Sequence, residues 1–109
     1  MKTRLKELYK IMKNDLPKEK FNSIVDDIYD SEHSIFMFLR DWIPAKVGDM
    51  SDELYINAVE GMKNINSYFQ NYGEEPIFIF DETDWRSVVN SASDFHGSVI
   101  AHAMDNFEN

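Results

Sequence analysis

Cysteine is absent from the chain. That excludes disulfides, thiol nucleophiles and thiolate metal sites, and it fits a reducing compartment, so a cytoplasmic location is expected. Glycine is scarce, with four residues scattered singly, so no glycine-rich loop is available to cradle a phosphate. No apolar run approaches the length of about 18 residues that a transmembrane helix needs. The N-terminal Met1 to Lys6 is basic, but an amphipathic pattern follows it. A signal peptide would need a continuous apolar stretch and a small-residue cleavage site, so none is expected. Positive charge is also in short supply: 11 Lys and Arg stand against 20 Asp and Glu, for a net charge of −9.

That imbalance is unevenly placed. Residues 1–20 hold seven Lys/Arg against three acids, and residues 21–109 hold four against seventeen. The segments therefore carry +4 and −13. An acidic body repels phosphates, which disfavours DNA, RNA and anionic lipid as direct ligands. It favours a basic protein partner, which charge also steers during encounter. The plainer reading is solubility alone. Aromatic residues are abundant, with eight Phe, five Tyr and two Trp, which supplies a core and argues against disorder. A chain of 109 residues is expected to form a single domain. At that size it buries roughly 65% of the surface its unfolded form exposes.

Helical periodicity dominates, and the expected fold class is an all-α bundle of about five helices. The first spans 3–14, with Leu5, Leu8, Tyr9 and Met12 on one stripe and Leu16 in line beyond it. Lys6, Lys10 and Lys13 lie on its polar side. Pro17 opens the second, over 17–30, whose stripe is Phe21, Ile24, Val25, Ile28 and Tyr29. Asp26, Asp27 and Asp30 point away from that stripe, either as a binding surface or as a solvated face. Ser31 reads as the N-cap of a third helix over 32–43, rich in apolar residues and stopped by Pro44. Met37 falls opposite its apolar face, and 45–50 reads as a loop turning at Gly48. The fourth helix, 52–72, has Ser51 as its cap, Asp52 and Glu53 at the positive end of its dipole, and Gly73 as its stop. Gly61, at the edge of its stripe, allows a neighbouring helix close or marks a bend.

The stretch from Tyr72 to Trp85 breaks the pattern. Ile77 to Phe80 has strand composition without a partner strand, flanked by Glu74 and Glu75 on one side and Asp81, Glu82 and Asp84 on the other. The preferred reading is an extended segment (77–80) that closes the bundle with alternate side chains. Pairing with a second copy, giving a possible homodimer, or with another protein's edge is the alternative. A fifth segment spans 84–107, capped by Asp81 or Thr83, as one helix or as two broken near 90–94.

No pattern names a chemistry. His96 sits near the centre of the last segment's apolar arc, where a hydrogen-bonded core histidine is the preferred account over a catalytic base or pH sensor. The Asp30/His33 and His102/Asp105 pairs have i,i+3 spacing, which is common by chance, and no His-Glu-x-x-His or EF-hand pattern occurs. Neither a metal nor any other cofactor is expected. The carboxylate pairs are adjacent in sequence, with no evident apolar pocket to raise a pKa, and the serines lack a nucleophile-elbow pattern. An enzyme is not expected. What remains is an interface, in which Phe78, Phe80 and Trp85 support an acidic rim. The eight candidate partner-binding residues are Glu74, Glu75, Asp81, Glu82, Asp84, Asp26, Asp27 and Asp30.

The stretch Leu16-Pro-Lys-Glu-Lys-Phe-Asn-Ser-Ile-Val-Asp-Asp-Ile-Tyr29, the acidic connector Gly73 to Asp84 and the final amphipathic segment together resemble the small acidic helical immunity proteins of colicin-type and contact-dependent nuclease toxins. Within that group the similarity is greatest to immunity proteins of tRNA-cleaving toxins. The resemblance implies a fold that blocks a basic nuclease active site by presenting carboxylates in place of phosphates. Two other readings share parts of the pattern. One is a phage anti-defence protein that mimics DNA charge. The other is a helical structural or regulatory module that self-associates through 77–80.

Overall fold

The computed structural model describes residues 2–42 and 49–95. Among them the chain is helical, with no strand. Helix α1 runs Lys2–Asp15, α2 Lys18–Met37, and α3 Glu53–Asn71; a fourth helix, α4, is described over 85–95. A π-helical turn, Phe38–Trp42, continues α2 without a break. The core is one cluster in which Leu8, Met12, Ile28, Ile35, Met62, Ile65, Phe69, Val88 and Phe95 meet.

Helix α1 follows its predicted stripe, with Leu5, Leu8 and Met12 buried and Lys6, Lys10 and Lys13 exposed. It crosses to α2 through an edge-to-face contact of Tyr9 and Phe21, ring centroids 6.4 Å apart. The boundary expected at Ser31 does not exist. Residues 17–30 and 32–43 were expected as two helices, and the structure joins them, which leaves four helices among the described residues rather than about five. Ser31 is a false cap because its hydroxyl donates to the Asp27 carbonyl one turn back, at 3.1 Å, instead of accepting from a freed N–H. The long helix also exposes Tyr29, 69% accessible, where the stripe had placed it inside. Met37 is half-buried rather than exposed.

At the end of α2 the Phe38 N–H reaches the Ser34 and Ile35 carbonyls, and the turn widens. It delivers Phe38 and Trp42, both fully buried, into an aromatic cluster with Tyr55. The Phe38 and Trp42 rings lie 4.9 Å apart, and the Trp42 indole N–H donates to the Asp49 carbonyl at 3.1 Å. The expected stop at Pro44 and turn at Gly48 lie outside the described residues.

Helix α3 begins one residue later than its expected Ser51 cap. Asp52 takes that role, its carboxylate accepting the Leu54 N–H at 2.9 Å, while the Ser51 hydroxyl donates to Asp49. At Gly61 α2 and α3 come close: a Cβ there would lie 2.9 Å from the Ser31 carbonyl oxygen. Of the two readings of Gly61, close approach is the one the structure takes. Gly73 ends α3 as expected, with φ +75°. The Gly73 N–H donates to the Gln70 carbonyl and the Glu74 N–H to the Phe69 carbonyl, both at 3.0 Å, the double closure of a Schellman motif.

Candidate functional site

Beyond Gly73 the connector closes the bundle, but with the adjacent side chains of Ile77 and Phe78 at a bend rather than with alternate ones. Ile77 and Phe78 are buried, Ile79 is 75% exposed, and Phe80 is half-buried against the core. Phe78 packs on Phe95 of α4 with ring centroids 4.9 Å apart. The partner strand that this segment lacks is replaced by one side chain. Asn66 of α3 accepts the Phe78 N–H at 2.8 Å and donates its amide to the Phe78 carbonyl at 2.9 Å. A carboxamide offers one donor and one acceptor side by side, so it satisfies a buried backbone residue as a neighbouring strand would. Trp85 is half-buried, 6.1 Å from Trp42.

The connector carboxylates divide by task. Glu74 and Glu75 are exposed, and their carboxylates have no hydrogen-bond partner among the described residues. The backbone beneath them is tied to the N-terminus: Arg4 donates to the Glu75 carbonyl and lies 5.1 Å from the Phe69 ring centroid. Asp81 folds a local turn, accepting from both the N–H and the hydroxyl of Thr83, and those bonds hold its carboxyl below the usual range. Its own N–H donates to the Ser87 hydroxyl. Neither Asp81 nor Thr83 caps α4. Asp84 does, its carboxylate accepting the Arg86 N–H at 3.1 Å. Glu82 pairs with Lys63 at 2.5 Å, and its carbonyl accepts the Tyr55 hydroxyl at 2.9 Å. Burial and then the charges of Asp84, Glu82 and Asp81 push the Tyr55 phenol up.

The second acidic surface lies on α2. Asp27 is a tie between helices: its carboxylate accepts from the Tyr68 hydroxyl at 2.5 Å and from the Asn64 amide at 2.8 Å. Asn64 also donates to the Ser31 hydroxyl at 3.0 Å, so one polar cluster spans the α2–α3 seam beside Gly61. Burial, followed by the bond to Asp27 and its charge, pushes the Tyr68 phenol up to about 12. Asp26 and Asp30 are exposed, with no side-chain partner among the described residues. A groove of about 410 Å³ opens over the seam, lined by Asp27, Asp30, Ser34, Asn57, Glu60 and Asn64.

Among the described residues no group of three or more His, Asp or Glu is placed to hold a metal. His33 is exposed, and His96, His102 and Asp105 lie outside the described residues. No helix among the described residues is long and apolar enough to cross a membrane.

The eight acids nominated from the sequence thus fall into two classes. Asp26, Asp30, Glu74 and Glu75 carry open carboxylates, whereas Asp27, Asp81, Glu82 and Asp84 are engaged in the fold. Sequence reasoning missed Asn64, Asn66 and Tyr68, whose polar ends face other elements. Asn66 carried no signal, but an aromatic residue one helical turn after Asn64 and beside Phe69 could have marked Tyr68 as seam-facing. It also missed an exposed apolar pair, Met50 and Ile56, which border a groove with Glu60, Lys63 and Glu82. Comparison with protein-family models, curated proteins and solved structures finds no match.

Proposed function

We propose that the chain is an acidic binding protein that inhibits a basic, nucleic-acid-acting enzyme in the manner of a toxin immunity protein. The observation that carries this reading is the charge of residues 21–109, which hold seventeen acids against four basic residues. Four of the candidate acids on the described surface, Asp26, Asp30, Glu74 and Glu75, are not spent on internal bonds. Carboxylates displayed in that way substitute for substrate phosphates at a basic active site and accelerate encounter with it. Met50 and Ile56 supply apolar contact next to Glu60 and Glu82, the mixture that interfaces use.

The test uses the protein encoded immediately upstream of this gene, purified if it is a basic nuclease. Binding is followed by stopped-flow kinetics and by residual nuclease activity. The association rate is expected to fall at least about tenfold between low and high salt, and the combined variant Asp26→Asn, Asp30→Asn, Glu74→Gln, Glu75→Gln is expected to lose most of that salt dependence. Association indifferent to both salt and the four substitutions overturns the electrostatic reading.

A further inference from the structure

The Asn66 bracket fixes more than Phe78. Both hydrogen-bonding groups of Phe78 face α3, and its side chain is 2% exposed. In extended backbone, successive residues alternate both side-chain direction and the direction of their N–H and C=O groups. Past the bend at Ile77, where two neighbouring side chains are buried, the step from Phe78 to Ile79 fits that alternation: the Ile79 side chain is 75% exposed, and its backbone N–H and C=O have no partner among the described residues. Beside it a groove of about 440 Å³ is lined by Ile77, Ile79, Ser91 and other residues of the connector and α4, among which Asp84 and Asp94 outnumber the one cation, Arg86. Ser91 is only 8% exposed, and its hydroxyl has no hydrogen-bond partner among the described residues. An open backbone edge, an exposed β-branched side chain and a buried hydroxyl with no partner among the described residues therefore border one groove.

We infer that Ile79 is a docking edge at which an extended, basic segment of the partner protein adds as a β-strand. The inference rests on the basic partner proposed above and names how it is held. Strand addition needs main-chain groups free on one side and a cover for the exposed side chain, and Ile79 presents both. Charge selects the occupant. Glu74 and Glu75 precede the edge, and Asp81, Glu82 and Asp84 follow it. A second copy pairing here would set like charges against one another, whereas lysines and arginines on an incoming strand meet acids at both ends. Pro76 has no N–H and ends the edge on its N-terminal side, so the register centres on Ile79.

The probe is an octapeptide of alternating lysine and valine, titrated into the whole protein. Its counterpart is N-methylated at alternate residues, which removes the strand's donors on one edge and keeps every charge. Binding of the first peptide is expected to slow hydrogen exchange at the Ile79 amide at least about tenfold, while the Phe78 amide, already bonded to Asn66, changes little. N-methylation, in the register that faces Ile79, is expected to weaken binding about fivefold or more, the worth of one backbone hydrogen bond. The variant Ile79→Pro, which removes the N–H, should lose affinity for both peptides, because the N-methylated strand still offers its carbonyl to that N–H. Binding that is salt-sensitive but blind to N-methylation and to Ile79→Pro overturns strand addition and leaves the acidic-surface reading standing. No protection at Ile79 at saturating peptide, or a measured self-association of the free protein through this edge, also overturns it.

Discussion

At the level of single residues, the fold depends on side chains that stand in for backbone or make room for it. Gly61→Ala would gain up to about 1 kcal/mol of helix propensity, yet its Cβ would meet the Ser31 carbonyl oxygen at 2.9 Å. Backbone cannot swing aside as a flexible side chain can, so α2 and α3 must separate, at a cost of about 1–3 kcal/mol. A net loss in a urea titration is the expected result. Asn66→Ala leaves a buried N–H and a buried C=O of Phe78 without partners, and is expected to cost about 1–3 kcal/mol or more for the pair. Chemical denaturation measures it, and Asn66→Asp, which keeps the acceptor and loses the donor, should not restore full stability. Tyr68 makes a pH prediction. Its folded pKa of about 12 exceeds the unfolded value of 10.0, so its contribution is complete below pH 10 and is lost as pH rises through 12. Burial and the Glu32 charge push Tyr9 up to about 12 as well, so tyrosinate absorbance should show two late-titrating phenols, one of which disappears in Tyr68→Phe.

Among the elements, those with strong local signals were legible in the sequence. The stripe of α1, the capped start of α3 to within a residue, and the stop at Gly73 all follow from periodicity and from a left-handed conformation that glycine alone adopts cheaply. The boundary at Ser31 misled because serine bonds equally well forward, as a cap, and backward to a carbonyl in mid-helix; the choice is made by packing against Gly61, which is remote in sequence. The same limit hid the division among the acids. Nothing local separates Asp26, which is open, from Asp27, which bonds to Tyr68 some 41 residues away. The cap of α4 was placed at Asp81 or Thr83 because both are good capping types within reach, and it falls instead to Asp84. Asp84→Ala is expected to cost about 1 kcal/mol through lost capping, seen as a lower thermal midpoint. Because Asp84 is spent in this way, any effect of that change on partner binding must be corrected for stability, whereas Asp26 and Glu74 need no such correction.

On the scale of the whole molecule, charge is segregated along the chain, and several contacts bridge the two regimes. Neutralising Asp26, Asp30, Glu74 and Glu75 together relieves self-repulsion, so the variant is expected to be at least as stable as the parent while it associates more slowly with a basic partner. Stability and association moving in opposite directions would separate a surface role from a structural one. One of these contacts is made by Arg4, which reaches the Glu75 carbonyl across 71 positions of sequence. During synthesis at about 5–20 residues per second, that separation amounts to roughly 4–14 s in which the basic first helix has emerged without the segment that receives it. For those seconds the cationic first helix waits for its receptor while an acidic stretch, beginning with Asp26, Asp27 and Asp30, emerges behind it.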